Sequence, residues 1–476
     1  METRARKRLK LAQKEEEHIE IETNVTEFMD MNDDVMYALF QRLPLADLCS
    51  ISQTCQRLQQ LSGKHFQRRY PNNRLDIEIF NWSTSGLDVK PAWEFRLQPN
   101  EQYAKAFAGY IRNVSVFMYN YETDPIDAFV YLKANCYANL RELVLYRIAG
   151  QSEKCGELIK TQLKTLESIK FENCCIRDIY SAFLKHSPAL KQISIKEGRN
   201  QNGCVMDWTK HRYPQVKSFI YHSNNVVIEN LEQFFLLNPQ IANVMCSSMN
   251  LFRLLFRKAW HLDFLHLSFE SEYKFYSIAT ELQTYCHQGY VKRLEMHFKN
   301  GWEPSRFAIG RVVELAPLAV WQGLHVKQVA KKINFPAALE KLQNLTVFSL
   351  GIDHMSKKLL QVMSRGLPNL KELHLESAWT SESICGFRFK QFIRPFALHS
   401  PNLQKIAIKG VTNTALITGN DIVTLDSLRK KIPNASVITI YLDYKLIQGA
   451  NFIIPAHSLL LIKPFSQLTP DYRKIY

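Results

Sequence analysis

The chain has 476 residues, enough for two or three ordinary domains or one long repeat array. Its 46% hydrophobic and 22% charged residues are those of a folded chain, no apolar run nears the roughly eighteen residues a membrane-spanning helix needs, and no apolar core follows the basic start that a secretory signal would require. The formal charge of +15 is placed late: residues 301–476 hold 22 Lys/Arg against 11 Asp/Glu, which suits an acidic or phosphorylated protein partner, or a plain solvated surface, better than nucleic acid.

In chain order, residues 1–27 read as a basic-then-acidic disordered tail, with Arg4-Ala5-Arg6-Lys7-Arg8 open to reading as a nuclear localisation signal or as an exposed basic tail. Residues 31–61 read as two short amphipathic helices hinged at Leu43-Pro44, because proline disfavours helix before it and is tolerated in the first turn after it. Val35, Leu39 and Leu43 share one helical face, and Asn32, Asp33 and Asp34 stand where a helix start wants caps and negative charge. Leu48, Ile51, Cys55 and Leu58 make a second apolar stripe. A segment of about forty residues cannot bury enough surface to stand alone, so part of this apolar face must meet the rest of the chain or a partner.

These residues carry a family resemblance. The order Asp33-Asp34-Val35, Leu39-Phe40, Leu43-Pro44-Leu45, Asp47-Leu48, Thr54-Cys55 and Arg57-Leu58 resembles an F-box, over residues 28–70. The resemblance implies docking on the SKP-family adaptor of SCF-type ubiquitin ligases, through Val35, Leu39, Phe40, Leu43, Pro44, Leu48, Ile51 and Leu58. One departure stands out: Met31-Asn32 occupies the place where the family opens with Leu-Pro, which puts the strength of the adaptor contact in doubt.

Residues 71–110 read as a linker or a first irregular repeat, with the alternation Arg74-Leu75-Asp76-Ile77-Glu78-Ile79-Phe80 suited to a strand. From residue 111 to about 450 the pattern apolar-x-x-apolar-x-apolar recurs thirteen times, from Ile111/Val114/Val116 to Ala435/Ile438/Ile440, at intervals of 21 to 33 residues. A period near 26 with this core is the leucine-rich-repeat signature. The last two apolar residues of each unit alternate on a short strand, and helices such as Ile126–Ala134, Ile179–His186 and Lys358–Arg365 return the chain. The expected fold class is therefore α/β: N-terminal F-box helices followed by a leucine-rich-repeat solenoid, a curved parallel sheet with outer helices. Residues 451–476 show no repeat and read as a C-terminal cap or tail.

On this frame, offsets +2, +4 and +6 from each first apolar residue face the concave side. Five of those positions hold histidine (His222, His266, His297, His325 and His374), where chance would place about one. Lys170, Lys196, Arg293, Lys327, Lys405 and Lys409 share the face. The expectation is a basic, histidine-rich surface for an acidic or phosphorylated target, with His266, Arg293, His297, His325, Lys327, His374, Lys405 and Lys409 as its contact residues.

No P-loop, H-E-x-x-H, G-x-S-x-G, CxxC or Cys/His metal spacing occurs, so no catalysis, cofactor or metal is expected. The ten cysteines read as reduced thiols of a nuclear or cytoplasmic protein. An F-box followed by leucine-rich repeats resembles the substrate receptors of SCF-type ligases. The resemblance implies a non-catalytic subunit that holds the adaptor, and through it a cullin/RING core, while the repeats select a target for ubiquitin-dependent degradation. The alternative is a scaffold that uses the solenoid for protein–protein interaction without ubiquitin transfer.

Overall fold

The computed structural model describes residues 31–70, 74–82, 92–98, 101–118, 125–135, 139–148, 152–174, 179–196, 207–223, 228–270, 272–299, 315, 318–326, 341–352, 357–377, 389–409, 419–442 and 457–464. Helix α1 (Asp33–Phe40) starts at Asn32, whose side-chain oxygen accepts from the Asp34 N–H at 3.1 Å. Helix α2 (Leu45–Ser52) starts at Pro44, whose φ of −65° leads into the helix and whose missing N–H would have no partner there. Helix α3 (Gln56–Arg69) is capped by the Cys55 thiol, which accepts from the Leu58 N–H at 3.5 Å. Two arginines on α3 tie the helices together. Arg57 donates to the Met31 carbonyl (2.7 Å) and to Asp33 (2.9 Å), and Arg69 donates to the Leu43 carbonyl (2.7 Å). Asn32 thus supplies a cap where the family pattern has proline, and the Met31 side chain packs against the core.

The N-terminal helices sit on the start of the sheet domain rather than apart from it. Phe66 of α3 stacks on Phe107 with ring centroids 4.4 Å apart and planes 7° from parallel. Phe107 follows helix α4 (Glu101–Ala106) and precedes a 3-10 turn, Ala108–Tyr110. The Tyr110 ring lies so close to Gly63 that a Cβ there would overlap it, so a side chain on α3 would push the junction apart.

All remaining strands join one sixteen-stranded sheet, built in chain order from β3 to β16 and closed at its start by β1 and β2. The strands are β1 (Arg74–Trp82), β2 (Ala92–Gln98), β3 (Asn113–Met118), β4 (Glu142–Tyr146), β5 (Ser168–Glu172), β6 (Gln192–Lys196), β7 (Ser218–His222) and β8 (Asn243–Cys246). They continue as β9 (Phe264–Phe269), β10 (Leu294–Phe298), β11 (Trp321–Val326), β12 (Val347–Ile352), β13 (Glu372–Ser377), β14 (Lys405–Lys409), β15 (Ile438–Leu442) and β16 (Leu460–Pro464). Among the described residues every pairing is parallel except β1 with β2, so this is a fifteen-strand parallel sheet with helices, an α/β solenoid-like arrangement behind three N-terminal helices.

The thirteen repeat units expected from the periodicity each supply one strand, β3 to β15. Their paired apolar residues, such as Leu143/Leu145, Ile193/Ile195, Leu294/Met296 and Leu373/Leu375, are buried under the helices. Each such side chain contributes about 1.5–3 kcal/mol by leaving water, and no unit completes its core without its neighbours.

Backbone geometry repeats with the same rhythm. In several units one carbonyl accepts two successive N–H groups of the next: Arg112 from Arg141 and Glu142, Arg141 from Glu167 and Ser168, Glu167 from Lys191 and Gln192, Lys371 from Gln404 and Lys405. The Asn before the first Leu of the clearest units also reaches one unit back. Asn139, Asn369 and Asn402 donate to the carbonyls of Gly109 (2.7 Å), Gln343 (3.0 Å) and Pro368 (3.0 Å). The Asn-Leu punctuation of the sequence is therefore a ladder between turns.

Between the N-terminal helices and the first regular unit, the stretch whose alternation suited a strand is β1, which extends the sheet beside β3, and β2 pairs antiparallel with it at the edge. At the other end β16 pairs parallel with β15 and continues the sheet, although no repeat pattern announces it. Ile453-Ile454-Pro455 and the tail 1–27, including its basic stretch, lie outside the described residues.

Candidate functional site

Two surfaces carry the residues singled out by the sequence. The first is the outer face of α1 and α2. The inward positions of α1 are Met36 and Phe40, so the stripe Val35, Leu39 and Leu43 turns outward. Val35 is 48% and Leu39 39% exposed, unusual for aliphatic side chains on so short a helix. Exposed Pro44 and half-buried Leu43 and Ile51 extend this patch onto the hinge and α2. Phe40, Leu48 and Leu58 are corrected: they are buried in the helical core, at 0%, 0% and 5% exposure, and build the platform rather than offer a contact. The reason is helical phase, which turns Phe40 a full 100° away from Leu39.

The second is the face of the sheet opposite the helices. His266, His297, His325 and His374 all lie on it, alternating with core residues such as Leu265, Leu267, Met296 and Leu324. The expected free basic surface is corrected here, because the cations are paired with glutamates of the same or neighbouring strands. Lys170 bonds Glu142 and Arg293 bonds Glu295. Lys196 lies 3.8 Å from Glu172, Lys405 3.4 Å from Glu372 and Lys409 2.9 Å from Glu376. The parallel register places acid beside base, so in-register stacking neutralises the face. Lys327 lies outside the described residues.

Burial also disfavours the cationic form of His222, His266, His297 and His374. Burial pushes His297 down to about 2, with neighbouring His266 and His325 adding to the effect. Burial lowers His222 to about 3, and lowers His266 and His374 against the pull of Glu295 and Glu372. His374 sits 3.4 Å from Glu372.

Three adjacent strands bring an unexpected group together. Glu295 of β10 is 5% exposed and splits its carboxylate. One oxygen, Oε1, bonds Arg293; the other, Oε2, lies 3.3 Å from His325 Nε2 and 3.7 Å from His266 Nδ1. Burial works to raise the Glu295 carboxyl, but the imidazoles of His266 and His325 beside it outweigh burial and hold it well below the usual carboxylate range. Gly323, opposite Glu295 in register, leaves the space that this side chain fills; a Cβ there would overlap it. Periodicity placed these histidines on one face, but it gave no sign that Glu295 stands between two of them.

Sequence reasoning also missed Arg429. It is fully buried, and its guanidinium donates to the carbonyls of Phe396, Ser400, Pro401, Leu403 and Ser436. These surround the C-terminal end of helix Phe389–His399, where a cation meets the negative end of the helix dipole. Burial lowers its pKa to about 10, so it stays charged at neutral pH. Cys49, Cys246 and Cys286 are buried free thiols.

Compared with known families, residues 28–66 match the F-box domain. No curated protein matches the chain. The three linked helices with their outward apolar stripe and the family match agree: residues 28–66 are an F-box domain, the kind of element through which a chain docks on an SKP-family adaptor in SCF-type ubiquitin ligases.

Proposed function

We propose that this chain is the substrate-recognition subunit of an SCF-type ubiquitin ligase. In this reading the F-box holds the adaptor and, through it, a cullin/RING core, while the parallel-strand array, read as leucine-rich repeats, binds the target protein. The carrying observation is the outward stripe Val35, Leu39 and Pro44 on a helical domain whose core is closed by Met36, Phe40, Leu48, Leu58 and Leu61. Closing such a patch against a partner is worth about 1.5–3 kcal/mol per fully buried aliphatic side chain. The chain performs no chemistry in this role; it brings a target near the ubiquitin donor. Because Lys170, Lys196, Lys405 and Lys409 of this face are paired with glutamates, the proposal carries no preference for an acidic target.

The test is co-purification of the tagged full chain with adaptor and cullin, beside the double variant Val35→Asp, Leu39→Asp. Both positions are exposed, so the variant keeps its fold and its melting temperature. Adaptor and cullin present with wild type and lost with the variant are the expected result. Adaptor without cullin would replace the receptor reading with the scaffold; adaptor retained by the double variant would remove the stripe from the interface.

A further inference from the structure

We propose that His266, Glu295 and His325 form a buried binding site for a single divalent transition-metal ion of the zinc class, on the face of the sheet opposite the helices. The ligand atoms, His266 Nδ1, Glu295 Oε2 and His325 Nε2, all lie within 4.8 Å of one another and belong to residues that are each more than nine-tenths buried. A tetrahedral zinc site with bonds near 2.0–2.1 Å spaces its ligand atoms about 3.3 Å apart. The observed separations from Oε2, 3.3 and 3.7 Å, bracket that edge from above.

The pairing of His266 with Glu295 favours a shared cation over a direct hydrogen bond. At 3.7 Å the contact is too long for a hydrogen bond, and the buried Nδ1 has no other partner among the described residues. An imidazole nitrogen left so is costly in a low-dielectric setting and is the natural donor to a metal. The donor set, two imidazoles and one carboxylate, suits zinc and leaves a fourth position. His297 stands beside the two imidazoles, its ring centroid 6.1 Å from that of His266 and 6.0 Å from that of His325.

The surroundings also fit. Arg293 bonds Oε1 and so orients the carboxylate with Oε2 toward the histidines, which makes it a positioning residue. Gly323 keeps the room the carboxylate needs. The three ligands come from three consecutive strands, β9, β10 and β11, so a bound ion would staple three repeat units at one point. Binding would displace any proton shared between the imidazoles and Oε2.

The experiment uses the full chain with any affinity tag removed. Chelator-stripped protein is dialysed against Zn2+ and its metal content measured; Co2+ then replaces Zn2+ for visible absorption. The expectation is about one Zn2+ per chain and a tetrahedral Co2+ spectrum without thiolate charge-transfer bands. His266→Ala and His325→Gln should each weaken Zn2+ binding roughly a hundredfold, and Arg293→Ala about tenfold. Substoichiometric Zn2+ with wild-type protein would overturn the proposal, leaving a hydrogen-bonded His–Glu–His cluster only. Thiolate bands, or unchanged affinity in a folded His266→Ala, His325→Gln double variant, would overturn it as well. The wild-type stoichiometry and Co2+ spectrum decide the matter even where a variant misfolds, and neither depends on adaptor binding.

Discussion

Replacing Arg429 by methionine tests how a solenoid-like sheet tolerates a buried cation with no carboxylate beside it. Methionine keeps the unbranched stem of the side chain but is shorter, and it removes every donor. The carbonyls of Phe396, Ser400 and Pro401 would each keep one backbone donor, the N–H groups of Ser400, Leu403 and Ser436 respectively. The carbonyls of Leu403 and Ser436 have Arg429 as their hydrogen-bond donor among the described residues, at 3.2 Å and at 3.0 and 3.2 Å. Each buried carbonyl left unsatisfied costs about 1–3 kcal/mol, and the lost charge-assisted bonds to the helix end add to this. Relief from burying a guanidinium offsets part of it, so the net loss should be about 3–5 kcal/mol. Because stacked units rest on nearest neighbours, the damage should concentrate in Phe389–Leu442 and leave the F-box helices intact. Hydrogen exchange of the full chain would read this as faster exchange in β14 and β15, with α1 to α3 unchanged, and urea titration would give the magnitude. Arg429→Lys, with one charge and fewer donors, should fall between. Unchanged protection in β14 and β15, or a loss under about 1 kcal/mol, would refute the assignment of Arg429 as the bolt between these units.

Other perturbations separate the remaining parts of the argument. Phe40→Ala should cost about 3–5 kcal/mol and abolish adaptor binding through loss of the F-box fold, visible as a lowered melting temperature that the surface variants at Val35 and Leu39 do not show. Gly63→Ala should destabilise the junction by about 1–3 kcal/mol, and Tyr110→Ala in the same chain should restore part of that loss; a purely additive pair would disprove the contact. His222 binds its proton far less readily folded, at about 3, than the ordinary histidine value near 6.5. The unfolded state therefore takes up the proton first, and stability contributed by neutral His222 is full above pH 6.5 and falls as pH drops toward 3, by at most about 1.4 kcal/mol per pH unit. His222→Gln should flatten that decline between pH 6 and 4 in thermal melts; an unchanged slope would show that other groups set it.

Much of this architecture was legible in the sequence because it is periodic. Units that bury a face only against their neighbours must repeat the same apolar spacing, and that spacing located β3 to β15 even through the irregular stretch from Ile241 to Trp321. The F-box was legible for a related reason: its order of apolar, capping and hinge residues is local. What local pattern could not decide is where each side chain ends up relative to residues far along the chain. Val35 and Phe40 are both apolar on one helix, and only packing of α1 against α3 shows that Phe40 goes in and Val35 out. Lysines read as part of a basic face became members of pairs once parallel register set Glu172 beside Lys196 and Glu372 beside Lys405. β16 carries no repeat signature and joins the sheet because an open edge was there to extend. Glu295 meets His266 and His325 only because strands about 30 residues apart in sequence stack side by side. The sequence by itself determined the repeating core and the docking helices, since both are written in short-range spacing. Tertiary structure alone decided charge pairing, burial of Arg429 and the convergence of the His–Glu–His group, since these depend on contacts between units that no local spacing encodes.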